Sequence, residues 1–187
     1  TAPAEVTVDA ARRHAQHYRE MAVAAGPSMD GPDEGRAVDR QAAERRNLDA
    51  ASEWCLGHEP ARAIAFARAL GRLWYLHDDM ASTADRLDAL ISAAGTAGDS
   101  DPGEDGWAWI RLGWPRFLTG DFAGGVEAMK RAEELCGEAG DELGLSQATK
   151  GQAHMALLGS ADTEAALDLY RLSLAHARRA RQPLAVA

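Results

Sequence analysis

The chain has 187 residues, of which 46% are hydrophobic and 26% charged, enough for a single domain with a core of its own. A formal net charge of −9 and a pI near 5.1 disfavour a surface that must neutralise phosphates, so direct nucleic-acid binding and docking on an acidic membrane are set aside. No apolar run reaches the length of a membrane span and the N-terminus lacks the basic-then-apolar order of a signal peptide, which gives a cytoplasmic reading.

Alanine, leucine, glutamate and arginine dominate, the residues that lose least on entering a helix, and strand signals are nearly absent. Val8, Ala11, Ala15, Tyr18 and Ala22 recur at helical spacing and predict a first helix from about Val8 to Ala25, stopped by Gly26-Pro27. Ser28 to Gly35, with Gly31-Pro32, reads as a loop. Val38, Ala42, Leu48, Ala51 and Cys55 trace one stripe of a second helix from about Ala37 to Leu56, with Gly57 as its stop. Pro60 suits the first turn of a third, where its missing N–H costs nothing. Cys55 and Cys136 fall at apolar helical positions, as reduced thiols that pack like small hydrophobes.

From there the chain repeats itself. Leu70–Asp79 reads LGRLWYLHDD and Leu112–Asp121 reads LGWPRFLTGD, so Leu-Gly, an aromatic-Leu pair and a terminal Asp recur 42 residues apart. A weaker third copy sets Gly151 against Gly113, and Ala165, Leu169 and Leu172 against Gly125, Met129 and Ala132. The expected hairpins are Ala61–His77 with Ala81–Ala94, Gly106–Thr119 with Phe122–Glu138, and Glu142–Leu158 with Thr163–Ala180; Gly95–Gly106 is expected to be a longer inter-repeat loop. The domain organisation that follows is one domain over 1–187, with an N-terminal helical pair over about 1–58 and hairpins over about 59–95, 106–140 and 141–181.

Two helices that cross closely need a small residue at the contact. Gly71, Gly113 and Gly151 fill that role on the first helices, answered by Ala84, Gly125 and Ala165 on the second, with Leu87, Met129 and Leu169 one turn on. Glycines inside helices cost about 1 kcal/mol each against alanine, which close packing must offset. One such hairpin cannot bury its own apolar face, so the units stack in series. Pro183, Leu184 and Val186 suggest a further helix, as if the chain were a piece of a longer array.

The pattern resembles tetratricopeptide repeats, carried by Trp109, Leu112, Gly113, Gly120, Asp121, Met129 and Ala132; Gly125, Arg116, Gly137 and Pro115 depart from it. The front half adds Arg13-His14-Ala15, Tyr18, Glu44, Asn47-Leu48, Ala51, Trp54 and Leu73-Trp74-Tyr75, which resembles the region after the winged-helix part of the ATPase module in large bacterial signal-transduction ATPases, antibiotic-pathway and LuxR-type activators among them. The resemblance implies an all-α superhelical array of antiparallel hairpins. It implies a parent regulator that binds DNA and nucleotide elsewhere, while this segment senses an effector or partner. No phosphate-cradling loop, dinucleotide fingerprint or basic recognition helix occurs here, and no cofactor is expected.

Candidate chemistry is sparse. His14 and His17 with Glu20 or Asp9 could offer metal ligands, but such spacing is common by chance and no metal site is expected. His77-Asp78-Asp79 falls at a hairpin turn, where Asp caps the next helix. Cys55 and His58 lack a third group to orient the imidazole, and no catalytic residue is assigned. Arg178, Arg179 and Arg181 suit a helix C-terminus, with an anionic partner as the lesser alternative.

The sharper candidate is a face. Trp107, Ile110, Trp114 and Phe117 form one stripe, opposite Trp109, Leu112 and Gly113, so this helix is apolar on both sides. In a tetratricopeptide-like array the stripe would line a concave groove with Arg68, Arg72, Tyr75 and Leu76 from the unit before and Gln152 and Met155 from the unit after. Pro115 should kink the helix beside it. Such a groove suits a peptide, a helix or a planar anionic small molecule. The same tryptophans could instead pack on the next hairpin as core. The expected function is a non-catalytic sensory or protein-interaction module of a bacterial transcriptional regulator, contacting a protein, a peptide, a small-molecule effector or the parent's other domains. The alternatives are a self-association scaffold forming a homodimer and, last, a helical enzyme.

Overall fold

The computed structural model describes residues 2–98 and 101–180, and among these it is all-helical, with no strand. Gln182–Ala187, where a further helix was expected, and Arg181 lie outside the described residues, as do Asp99 and Ser100. In order come α1 (Ala2–Ala25), a 3-10 helix (Gly26–Asp30), α2 (Glu34–Ala43), α3 (Arg45–His58), α4 (Pro60–Ala63), a second 3-10 helix (Ile64–Phe66) and α5 (Ala67–His77). Then come α6 (Met80–Ala97), α7 (Pro102–Leu118), α8 (Phe122–Ala139), α9 (Glu142–Ser160) and α10 (Thr163–Ala180). No described helix is long and apolar enough to cross a membrane.

The later helices are punctuated as their sequence dictates. Asp79, Asp121 and Asp141 each accept a backbone N–H three residues on, at 2.8, 2.9 and 3.0 Å, and so cap α6, α8 and α9. Asp101 does the same for α7 through Gly103, at 2.7 Å, with Pro102 at the first helical position. Gly98 and Gly140 end α6 and α8 in the left-handed conformation that glycine adopts without strain. The expected long loop over Gly95–Gly106 is therefore mostly helix: α6 runs to Ala97, and the Asp101-Pro102 pair starts α7 early.

The front half departs further. The helix expected over Ala37–Leu56 is two, parted at Glu44, whose backbone leaves the helical region (φ −102°, ψ 9°). Its carboxylate accepts from the Asn47 amide within the segment at 2.8 Å and from the Tyr18 hydroxyl outside it at 3.1 Å. Those bonds push the Glu44 carboxyl below its ordinary pKa; burial foremost, then Glu44, pushes the Tyr18 hydroxyl up. Gly57 lies inside α3 rather than ending it. The helix expected over Ala61–His77 is α4, a 3-10 turn and α5, with α4 and α5 both resting on α6. The expected loop after α1 holds a 3-10 helix whose Met29 is fully buried.

Neighbouring helices pack in pairs, most closely α7 with α8 and α9 with α10, while α8 also packs on α9. Glycine sets these contacts. A Cβ on Gly113 would stand 2.6 Å from Met129, and one on Gly151 2.5 Å from the same side chain. A Cβ on Gly106 would stand 2.6 Å from the Cys136 sulfur, and one on Gly144 2.4 Å from it. So α8 is clasped between α7 and α9 in two layers, each a sulfur-bearing side chain held between two glycines. Both cysteines are buried free thiols; desolvation pushes Cys136 up to about 12 and Cys55 up to about 11, which disfavours the thiolate of each.

Two parts of the expected register change. The side chain nearest to Gly151 is Met129, on α8 of the unit before it. On α10 the buried residues are Ala166, Ser173, His176 and Ala177, so the third copy is shifted one position from the alignment on Ala165 and Leu172, and Leu172 is exposed. α7 is apolar on both sides as expected: Ala108 and Leu112 join the front core, while Trp107 and Ile110 join a second cluster with Ala132, Cys136 and Ala148.

Candidate functional site

The face where α5, α7 and α9 meet the Gly26–Asp30 turn encloses a cavity of about 370 Å³, within the range that small-molecule sites occupy. Its lining includes Asp30, Glu34, Arg72, Tyr75, Ile110, Arg111, Trp114, Leu143, Gln147 and Lys150. A second cavity of about 270 Å³ is lined by Arg68 and Trp107 together with Ala22, Ile64, Glu104 and Asp141. Burial raises the pKa of the Glu104 carboxyl there, with Asp101 adding to the effect.

The structure distributes the nine groove candidates over three environments. Arg72, Tyr75, Ile110 and Trp114 line the larger cavity, although Ile110 presents little surface to it. Arg68 and Trp107 form a clamp: the Arg68 guanidinium lies 3.6 Å from the centre of the Trp107 ring, and the indole N–H donates to Asp141 at 2.7 Å. Trp107 is 1% exposed, so it packs as core, although with Arg68 it also lines the second cavity. Phe117 and Met155 are buried together with Met129, and Gln152 turns to α8, donating to Glu133 at 2.6 Å. Leu76 is exposed and is not among the residues lining either cavity. The tryptophan stripe thus divides, Trp107 to the core and Trp114 to the cavity. α7 runs as one helix through Pro115, three residues before its end.

Trp114 is half-buried and held by its neighbours. Its ring meets Phe117 at 5.8 Å and His154 at 5.7 Å, both edge-on, and His154 meets Tyr170 at 5.3 Å. His154 donates its Nδ1–H to the Lys150 carbonyl at 2.8 Å, which fixes the imidazole beside the indole.

Sequence reasoning missed the charges that shape the cavity. Asp30, its side chain 5% exposed, accepts from Arg111 at 2.6 Å through one oxygen and from Arg68 at 3.0 Å through the other. Arg111 also donates to the Arg68 carbonyl at 3.0 Å, which ties α7 to α5. Glu34 pairs with Arg72. Lys150 is largely desolvated, which holds its ammonium below the usual lysine pKa. Two arginines aimed at one acid inside a predicted loop left no local signal. Lys150 had one, as a lone cation in the small-residue run Ala148-Thr149-Lys150-Gly151.

The other candidates resolve into structure. Asp79 caps α6, while Asp78 receives the Arg45 guanidinium at 2.5 Å. His14 and His17 stand against the Tyr18 ring, at 4.7 and 4.9 Å. His58 stacks on Trp54 at 4.6 Å, apart from any pairing with the buried Cys55 thiol. Arg179 pairs with Glu142, which also contacts His176 at 2.6 Å. Among the described residues no three His, Cys, Asp or Glu side chains gather closely enough to hold a metal. No protein-family model matches this chain, and a search of curated proteins finds no significant match.

Proposed function

We propose that this chain is a non-catalytic binding module, a tetratricopeptide-like array of helical hairpins that takes an effector or partner in the cavity between α5, α7 and α9. One observation carries this reading: the first helices of three successive pairs converge on a single recess of about 370 Å³ with mixed aromatic and charged walls. Its polar groups are mostly engaged in holding the walls, an arrangement that orients a ligand rather than transforms it. Stacked pairs with glycine contacts support the solenoid reading, and the sequence anchors from Arg13 to Tyr75 support a bacterial signal-transduction ATPase regulator as the parent, in which occupancy of the recess would set the activity of the attached domains.

A thermal-shift panel of metabolites, nucleotides and short peptides, run on the wild type and on Trp114→Ala, tests this. Ligand at 100 times its dissociation constant adds about 2.7 kcal/mol of stability. A shift in the wild type that is absent from the folded variant is expected; a shift that survives the substitution would put binding elsewhere and defeat the reading.

Self-association is the second reading, favoured by the leucines left bare on the last pair, Leu158 at 65% and Leu167 at 50% exposure. Sedimentation that gives a concentration-dependent mass, reduced by Leu158→Lys, would prefer it.

A further inference from the structure

Each carboxylate facing the larger cavity already holds arginine. Both Asp30 oxygens are taken, by Arg68 and Arg111, and Glu34 is taken by Arg72. Lys150 reaches the same space from α9 and feels all four groups, attracted by Asp30 and Glu34 and repelled by Arg72 and Arg111. Its ammonium makes no ion pair or hydrogen bond with any described residue. The lining therefore carries three cations, Arg72, Arg111 and Lys150, against two carboxylates, while Arg68, which shares Asp30 from outside the lining, is attracted by Asp141 as well, all inside a chain of net charge −9. A local excess of one positive charge against the overall sign, on a side chain sheltered from water, is a site awaiting an anion. The remaining walls set the rest of the ligand. Trp114 and Tyr75 offer half-buried aromatic surface, and Leu143, from the first turn of α9, adds aliphatic surface. A di- or triphosphate would bring more negative charge than the single free ammonium answers.

We propose that the cavity binds a small organic monoanion with a flat apolar body, its acid group on the Lys150 ammonium and its body against Trp114 and Tyr75. This rests on the binding-module reading above and adds the chemical class of the ligand. No covalent step is involved.

Isothermal titration of the whole chain with benzoate and 2-naphthoate, each beside its uncharged amide, tests it directly. The acids are expected to bind, the amides at least about tenfold more weakly, and Lys150→Met to lose at least about tenfold in affinity for the acids, the effect of removing one charge-assisted hydrogen bond. The variant should melt at or above the wild-type temperature, since it removes a desolvated charge; Lys150→Gln is a second charge-free variant should methionine disturb α9. Equal binding of acid and amide, undiminished binding by both variants, or no binding of either acid by the wild type at millimolar concentration overturns the proposal. A chain that refuses these acids yet gives a Trp114-dependent shift with another compound loses only the ligand class. A chain with no Trp114-dependent ligand loses the module reading itself.

Discussion

The two halves of the chain are built on different principles. From α7 onward, Asp121 and Asp141 cap their helices, Gly140 ends one, and paired glycines clasp Met129 and Cys136. In the front half no helix from α2 to α5 has a side-chain cap, and two 3-10 turns and the break at Glu44 interrupt it. Beside its apolar core, long-range charge ties it together: Asp30 with Arg68 and Arg111, Glu34 with Arg72, and Arg45 with Asp78. The cavity lies where the two meet, so one wall is fixed by backbone approach and the other is tethered by ion pairs.

Substitutions should separate the halves by mechanism. The largest effect belongs to Asp30→Asn, which deprives Arg68 and the 11%-exposed Arg111 of their shared ion-pair partner. It should cost about 3 kcal/mol in urea denaturation, as removing one partner of a buried pair does. Next comes Gly125→Ala on α8, whose Cβ would stand 2.9 Å from the Gly113 carbonyl and 3.1 Å from the Phe117 nitrogen. Backbone cannot step aside, so a loss of about 1–3 kcal/mol is expected despite alanine's better helix propensity. The smallest effect is a gain. Gly57→Ala on α3 meets nothing within 4 Å and should stabilise by up to about 1 kcal/mol. Equal losses at Gly125 and Gly57 would break the contrast.

The same division decides what could be read from sequence. In the back half each determinant is local, an Asp at a turn, a Gly at a crossing, an apolar period, and α10 spans the Thr163–Ala180 that the pattern predicts. Even there the register of α10 slipped by one, because Ala165 and Ala166 are equally small and only packing against Ser146 chooses: its hydroxyl lies 3.2 Å from that of Ser173. In the front half the determinants are distant. The apolar stripe from Val38 to Cys55 is continuous, and the Glu44 carboxylate at the break is held by the Asn47 amide within the segment and by the Tyr18 hydroxyl reaching in from α1. The site followed suit. Arg72, Tyr75 and Trp114 were legible as a helical face, whereas Trp107 was claimed by Arg68 and Asp141, and Asp30, Arg111 and Lys150 acquire meaning only once three helices converge.

The most direct test of a recess with one fixed and one tethered wall is amide hydrogen exchange with and without saturating 2-naphthoate. The prediction is that exchange slows chiefly in Gly26–Ala43, the tethered wall, and in α9 around Lys150, with α1 and α10 close to unchanged. Slowing spread evenly along the chain, or confined to α1 or α10, would contradict it.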